Sequence, residues 1–271
     1  MKPLISVIIP TYNRPGALCE LLECLYRQTY KHLEIIIIND NGENIDFVSS
    51  LYSELNILII DLKENVKHVV ARNEGIRRSS GDYILLCDDD DLLVPKHVET
   101  MLEQIAGVDL VYSDAEIVEY ETVGKTRIPV NRLLFAYDSD REAMRSFSTF
   151  VASGSLYRKA IHDQIGLFDE EVYHYWDWDF YLRVSENYPV KRVPIAGTLY
   201  SFATSGGDNL SGSLSDMEPF LKLLSDKHDL GPLPTKNFFL LLEEPGVRNR
   251  QAVSKVVWDG EPTISRWANI S

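Results

Sequence analysis

Four short apolar runs alternate with segments of helical periodicity along the first hundred residues, and this alternation constrains the fold most strongly. The runs are LISVIIP, HLEIIIIND, NILIIDL and DYILLC, which begin at residues 4, 32, 56 and 82. Each run is apolar at consecutive positions, so both faces of each strand must be buried. The pattern predicts an α/β fold with a mostly parallel central sheet and helices on both faces.

Polar residues directly follow three of these predicted strands. They are Thr11, Tyr12 and Asn13 after the first strand, residues 39–41 after the second, and residues 88–91 after the fourth. Ligands of open α/β sheets bind outside the carboxyl ends of the strands. We therefore expect one binding site at this edge of the sheet.

The bulk composition excludes several classes of protein. The formal net charge of −14, from 27 basic and 41 acidic side chains, disfavours nucleic acid and anionic lipid as partners. Three cysteines without a C-x-x-C pair favour a reducing compartment over a disulfide framework or a zinc site. We see no signal peptide and no transmembrane segment, and expect a cytoplasmic protein. The oligomeric state is not predicted.

Asp88 to Asp91 form a run of four carboxylates at the end of the fourth strand. Like charges at this spacing repel unless a cation or a proton shares the site. Mn²⁺ or Mg²⁺ accepts oxygen ligands, usually one or two carboxylates together with substrate phosphates. The run therefore predicts a divalent cation that holds a diphosphate. The alternative is a helix start, because aspartates are also favourable before the helix that Pro95 opens.

A second acidic cluster, Trp176-Asp177-Trp178-Asp179, lies in a predicted helix. The two aspartates project on different sides of a helix, so we expect only one to face the site. A carboxylate beside indole rings is desolvated, which raises its pKa and suits a general base. The alternative is an amphipathic helix with buried tryptophans and solvated acids.

Arg72 is a candidate phosphate ligand through its planar fork of donors, or else a surface arginine.

Taken in order, six stretches of this chain resemble the family 2 glycosyltransferases of the GT-A fold. They are ISVIIPTYNR, IIIINDNG, ARNEG, LLCDDDD, SGSLYRKAIHDQIGLFDE and YWDWDFYLR, and the resemblance covers about residues 4–203. It implies a nucleotide-diphospho-sugar transferase fold with a catalytic domain over 1–214, divided into a nucleotide-binding half (1–114) and an acceptor-binding half (115–214). Pro232 and Pro234 mark a linker, and we expect a small helical C-terminal extension over 215–271.

The resemblance also implies roles for the matching residues. Asp40 would accept a hydrogen bond from the base, Asp90 and Asp88 would hold the metal, and Asp177 would be the catalytic base of an inverting transfer. The implied nucleotide-binding residues are Pro10, Thr11, Tyr12, Asn13, Asp40, Arg72, Asp88 and Asp89. The implied acceptor or lid residues are Trp176, Asp179, Gly154 and Asn209.

Two positions depart from the family pattern. Trp176 stands where the family often has glutamate, which puts an acceptor contact in doubt. Thr204 and Ser205 stand near the place of a family histidine that helps to bind metal or diphosphate. We expect lower metal affinity, or a substitute from the loop at 206–211.

The leading hypothesis is a metal-dependent inverting glycosyltransferase in cell-surface polysaccharide or glycoconjugate synthesis. Its donor would be a nucleotide sugar, with UDP or dTDP favoured as the nucleotide. Its acceptor would be a carbohydrate, lipid-linked or protein-linked hydroxyl. If the acceptor is lipid-linked, the protein would act at the inner membrane face. One alternative is a sugar nucleotidyltransferase, disfavoured because TYNRPGALCE lacks a glycine- and basic-rich phosphate loop. Another is a non-catalytic nucleotide-binding module, which Trp176 and the missing histidine leave open.

Overall fold

A computed structural model of the protein describes residues 2–202, 214–236 and 238–270, with only the backbone of Leu214. The described strands are β1 (Ile5–Thr11), β2 (Leu33–Asn39), β3 (Ile57–Asp61), β4 (Tyr83–Leu86), β5 (Leu92–Leu93), β6 (Leu110–Val123), β7 (Thr126–Phe135), β8 (Leu156–Arg158), β9 (Val190–Ser201) and β10 (Lys255–Val256). The described α-helices are α1 (Pro15–Tyr26), α2 (Phe47–Leu51), α3 (Lys67–Arg78), α4 (His97–Gln104), α5 (Arg141–Ser146), α6 (Ile161–Ile165), α7 (Trp176–Asn187), α8 (Leu214–His228), α9 (Phe238–Leu242) and α10 (Pro245–Arg248).

The described strands form one sheet in the order β10-β9-β6-β8-β4-β1-β2-β3, with β5 beside β9 and β7 beside β6. Strands β3, β2, β1 and β4 run parallel to one another, and so do β6, β9 and β10. The short strand β8 is antiparallel to both of its neighbours. The prediction of an α/β fold with a mostly parallel sheet is confirmed.

Alternate residues of the central strands enter two separate cores. Val7 and Ile9 of β1 pack in a core with α1, whereas Ile8 packs on the opposite face with α3 and α7. This two-sided burial is the physical reason for the continuous apolar runs in the sequence. Helix α3 lies so close to the sheet that a Cβ on Gly75 would come within 2.7 Å of both Ile8 and Ile38.

The sheet continues into residues 126–135, where the sequence shows no strand-like pattern. Strand β7 forms an antiparallel hairpin with β6, and residues 131–134 on it are exposed. A strand that is solvated over much of its length has no apolar periodicity to reveal it.

In its described part, the C-terminal segment contains the α-helices α8 to α10, a 3-10 helix (Arg266–Asn269) and extended chain. Strand β10 pairs in parallel with β9, and Arg266 and Trp267 return to the first half of the molecule. The Trp267 ring lies 4.8 Å from that of Phe47, and Arg266 forms an ion pair with Glu54 at 2.7 Å. Among the helices of the described ranges, none combines the length and apolarity that a membrane crossing requires.

Candidate functional site at the carboxyl ends of the strands

The aspartate run lies in a turn after β4, and two side chains and one backbone N–H from three other segments hold it. The Asp88 N–H donates to Ser153 Oγ at 3.0 Å, and Thr11 Oγ1 donates to Asp89 Oδ2 at 2.6 Å. Asp91 Oδ1 accepts the N–H of Ser201, at the end of β9, at 2.8 Å. The turn therefore joins the ends of β1, β4 and β9, as parallel strands that meet at one edge require.

The four carboxylates alternate between outward and inward positions. The side chains of Asp88 and Asp90 are 36% and 28% exposed, whereas those of Asp89 and Asp91 are buried. The two ends of the predicted D-x-D element therefore share the open side of the turn.

Arginines from two elements accompany the aspartates. Arg72 of α3 forms an ion pair with Asp88. Arg14, in the loop after β1, pairs with both Asp89, at 2.8 Å, and Asp90. Positive charge from within the chain thus lies directly on the acidic turn.

Burial raises the pKa values of the aspartates in this turn, whereas the neighbouring arginines lower them. Burial disfavours the charge on Asp88, but Arg72, His68 and Arg14 together outweigh burial and lower the Asp88 pKa. Burial raises the pKa of Asp89 to about 7 although Arg14 opposes it, and it also raises the pKa of Asp90. Asp89 and Asp90 therefore bind protons more readily than isolated aspartates do, whereas Asp88 binds them less readily.

Trp176 holds Arg72 against the site. The Arg72 guanidinium lies 4.1 Å from the centre of the Trp176 ring, and its Nη1 donates to the His68 carbonyl at 3.3 Å. The Arg72 side chain is also only 3% exposed. An arginine that is buried and stacked on an indole has a fixed orientation. Trp176 therefore contacts Arg72, one of the residues predicted to bind the nucleotide.

The predicted nucleotide-binding residues of the first half lie around the same edge. Pro10 is buried within β1, and Tyr12 is 48% exposed in the loop that follows. Asn13 has a φ of 55°, and its Oδ1 accepts the Glu43 N–H at 2.8 Å. This bond joins the loop after β1 to the loop after β2.

Asp40 has partners that the resemblance did not imply. Its two carboxylate oxygens accept the backbone N–H groups of Val66, at 2.7 Å, and Lys67, at 2.9 Å. These two backbone bonds hold the carboxylate at the start of α3, and its implied contact with a nucleobase remains a prediction. Asp40 fixes the loop that leads into the helix of Arg72.

Asp177 is half-buried in the first turn of α7, where the charges of Arg72 and Asp88 act on it. Burial raises its pKa to about 6, and the Trp178 N–H, which donates to Asp177 Oδ1 at 2.8 Å, and the charge of Arg72 offset only part of that rise. The negative charge of Asp88 also raises the pKa of Asp177. A carboxylate with this pKa is ionised at neutral pH and remains a competent proton acceptor.

Asp179 points to the other side of α7, as helical spacing requires. It is fully buried and pairs with Arg183 at 2.8 Å and Lys227 at 2.7 Å, with His228 also at 2.7 Å. Burial disfavours its charge, but the His228 hydrogen bond and the Arg183 charge prevail and lower the Asp179 pKa to about 2. These contacts tie α7 to α8, so Asp179 has no open side for an acceptor or a lid.

The remaining acceptor or lid candidates lie elsewhere. Gly154 has a φ of 80°, and a Cβ there would lie 2.9 Å from His97 Nε2, so it occupies packed interior next to Ser153. Asn209, Thr204 and Ser205 lie outside the described residues.

Sequence reasoning missed three residues of this edge: Arg14, Arg127 and Tyr200. Arg127 of β7 donates from Nη1 to the Asp90 carbonyl at 2.8 Å and pairs with Glu20 of α1. Burial and then the surrounding aspartates, Asp177 among them, raise the Tyr200 pKa. Arg14 was visible as the cation of TYNRPG, whereas Arg127 and Tyr200 carried no local signal.

The donor set suits a cation that is shared with a substrate. Within the described ranges, no group of three or more His, Cys, Asp or Glu side chains is arranged around a metal position. Asp88 and Asp90 offer two carboxylates on the open side of one turn. Mg²⁺ and Mn²⁺ bind in this way, with one or two carboxylates and the rest of their ligands from phosphates and water.

Comparisons with known proteins agree with this architecture. Residues 6–166 match the model of glycosyl transferase family 2. The chain is 55% identical to the uncharacterized glycosyltransferase YwdF of Bacillus subtilis, over 97% of this chain and 98% of that one. It is 29% identical to the glycosyltransferase GlyA of Streptococcus pneumoniae, over 59% of this chain and 25% of that one.

Two solved structures share the fold at low sequence identity. The structure of S. aureus TarS 1–349 in complex with UDP-GlcNAc has a TM-score of 0.62 and 19% identity, over 82% of this chain and 66% of that one. The mannosyltransferase PcManGT of Pyrobaculum calidifontis, in complex with GDP-Man and Mn²⁺, has a TM-score of 0.57 and 15% identity, over 85% of this chain and 70% of that one.

Proposed function

Because this chain belongs to glycosyl transferase family 2, with the GT-A fold and the glycosyltransferase class that its sequence predicts, we propose a specific reaction. The protein transfers a sugar from a nucleotide-diphosphate donor to an acceptor hydroxyl with inversion, and the transfer depends on a divalent cation at Asp88 and Asp90. The observation that carries the proposal is the position of Asp177. This carboxylate is half-buried, its pKa is raised by burial to about 6, and it lies within the electrostatic reach of Arg72 and Asp88.

In this proposal Asp177 takes the proton of the acceptor hydroxyl. The hydroxyl oxygen attacks the anomeric carbon opposite the diphosphate, the new glycosidic bond forms as the old carbon–oxygen bond breaks, and the configuration inverts. The electron pair leaves with the diphosphate, beside Arg72, which Trp176 orients. The divalent cation, when bound, stabilises the charge on that leaving group.

The donor is proposed to be linked to UDP or dTDP. The TarS complex with UDP-GlcNAc supports a uridine nucleotide, while the PcManGT complex supports manganese and shows that the same fold also takes GDP-Man. The exposed ring of Tyr12 lies in the loop after β1 and offers a surface for the base. Asp40 contributes by holding the loop at Val66 and Lys67.

The acceptor is proposed to be a carbohydrate, lipid-linked or protein-linked hydroxyl in the synthesis of surface polysaccharide or glycoconjugate. Such a reaction would take place in the cytoplasm, or at the inner membrane face if the acceptor is lipid-linked.

The proposal is tested by a transfer assay over UDP-, dTDP- and GDP-linked sugars with Asp177→Asn and a matched control. Loss of a general base reduces the transfer rate by about 10²- to 10⁴-fold. We expect that loss in Asp177→Asn, with UDP affinity nearly unchanged. The control Asp226→Asn removes an exposed aspartate that pairs with Lys222 on α8, and it should transfer like the wild type.

Two results would contradict the proposal. Full turnover by Asp177→Asn would place the base elsewhere. Pyrophosphate release from a nucleoside triphosphate and a sugar phosphate would indicate a nucleotidyltransferase instead.

A further inference from the structure

The two arginines on the acidic turn differ in how firmly they are held. The Arg72 side chain is 3% exposed and stacks on Trp176. The Arg14 side chain is 41% exposed, and in the part of the chain that the structure describes its guanidinium pairs only with Asp89 and Asp90. Of the two arginines, Arg14 is therefore the one that can turn away from Asp90 without leaving a packed position.

The position of Arg14 conflicts with a cation on Asp90. Its Nη1 contacts Asp90 Oδ2, on the open side of the turn where a metal ligand must present its oxygens. A guanidinium and a divalent cation on one carboxylate repel each other, and the low-dielectric surroundings of a half-buried site strengthen that repulsion. Arg14 on Asp90 therefore weakens metal binding there, as Arg72 does on Asp88, but Arg72 is buried against Trp176 whereas Arg14 is exposed.

We propose that Arg14 is an internal counter-ion that exchanges between Asp90 and the diphosphate of the donor. This inference rests on the proposed function. Without nucleotide, Arg14 occupies Asp90 and competes with the metal. The diphosphate offers Arg14 a bidentate anionic partner, and Arg14 then leaves Asp90 to the metal. Arg14 is thus a further donor-binding residue, and it makes nucleotide and metal bind cooperatively.

The exchange has two consequences for binding. Nucleotide strengthens metal binding, and by linkage the metal strengthens nucleotide binding by the same factor. Removing the Arg14 charge relieves the competition, so the metal binds more tightly when no nucleotide is present. The same removal weakens binding of UDP but not of uridine, because only UDP has the diphosphate.

The test is a titration of the full chain with Mn²⁺, in which electron paramagnetic resonance measures the free ion. Wild type, Arg14→Gln and Arg14→Lys are compared with and without UDP. We expect UDP to tighten Mn²⁺ binding by wild type by about 5- to 150-fold, the usual range of such couplings. Arg14→Gln should bind Mn²⁺ more tightly than wild type without UDP and show a smaller coupling. Arg14→Lys keeps the charge but lacks the planar fork of donors that matches a diphosphate, and should lie between them.

A matched control and a second ligand complete the design. Arg77→Gln removes an arginine of similar exposure, which pairs with Glu74 on α3, and should match wild type at every point. Calorimetry with UDP and uridine in the presence of Mn²⁺ should show that Arg14→Gln loses affinity for UDP only. Thermal unfolding of each variant verifies that it is folded.

The contrary outcomes separate this inference from the proposed function. If wild type binds Mn²⁺ with UDP and Arg14→Gln matches it throughout, the exchange is wrong and the metal dependence stands. If neither protein binds Mn²⁺ under any condition, both the exchange and the proposed metal dependence fail.

Discussion

Single carboxylates of this molecule differ in chemistry because their surroundings differ. Asp177 and Asp179 are two positions apart on α7, yet burial raises the pKa of the first to about 6, whereas three basic partners offset burial and lower that of the second to about 2. The same residue type therefore provides the proposed proton acceptor on one side of the helix and a permanent anion on the other.

The raised pKa of Asp177 predicts a pH limb in the transfer reaction. A base must be ionised, so kcat/KM should fall as the pH drops through about 6, with a slope of one proton. Below this pKa the carboxylate is protonated and cannot accept a proton, so kcat/KM decreases on the acid side. The measurement is a pH profile of kcat/KM for wild type and for Asp179→Asn. A wild-type profile that remains flat across pH 6 would contradict the assignment of Asp177.

At the scale of elements, ion pairs connect β7 to α1 and the acidic turn, and connect α8 to α7. Arg127 links the β6–β7 hairpin to Glu20 of α1 and to the Asp90 carbonyl, and Asp179 links α7 to Lys227 of α8. These pairs connect residues that are far apart in the chain, so they have no signature in a local sequence pattern.

The tie between α7 and α8 can be measured through stability. Asp179→Ala leaves Arg183 and Lys227 without their buried partner, and breaking a buried pair of this kind costs about 3–5 kcal/mol of unfolding free energy. Urea denaturation of the variant should show that loss. The control Asp226→Asn breaks an exposed pair on α8, which is worth about 0–1 kcal/mol.

The same tie gives stability a dependence on pH. The Asp179 pKa is lowered, so its contribution is complete above the ordinary value of 3.8 and is lost as the pH falls through about 2. Equal stability of Asp179→Ala and wild type at neutral pH would contradict the account of this tie.

At the scale of the whole molecule, the first half could be predicted from sequence and much of the second half could not. Apolar runs such as IIII at 35–38 require a strand that is buried on both faces, and the ends of parallel strands meet, so Thr11 and Asp88 had to lie close together. The sequence also indicated that only one of Asp177 and Asp179 faces the site.

What could not be predicted depends on contacts between distant residues. Exposed residues 131–134 obscure β7, and therefore Arg127, while β10 is recognisable only beside β9. The backbone partners of Asp40 come from a loop 26 residues further along the chain. The proposed counter-ion role of Arg14 depends on a turn that follows three further strands, β2, β3 and β4, along the chain.

One diffraction measurement tests the central claim most directly. Crystals of the protein with UDP and Mn²⁺ are measured at a wavelength where manganese scatters anomalously. We predict an anomalous peak in contact with the Asp88 and Asp90 carboxylates and with the diphosphate of UDP. Bound UDP with no manganese peak at this turn, and with Arg14 still on Asp90, would contradict the claim.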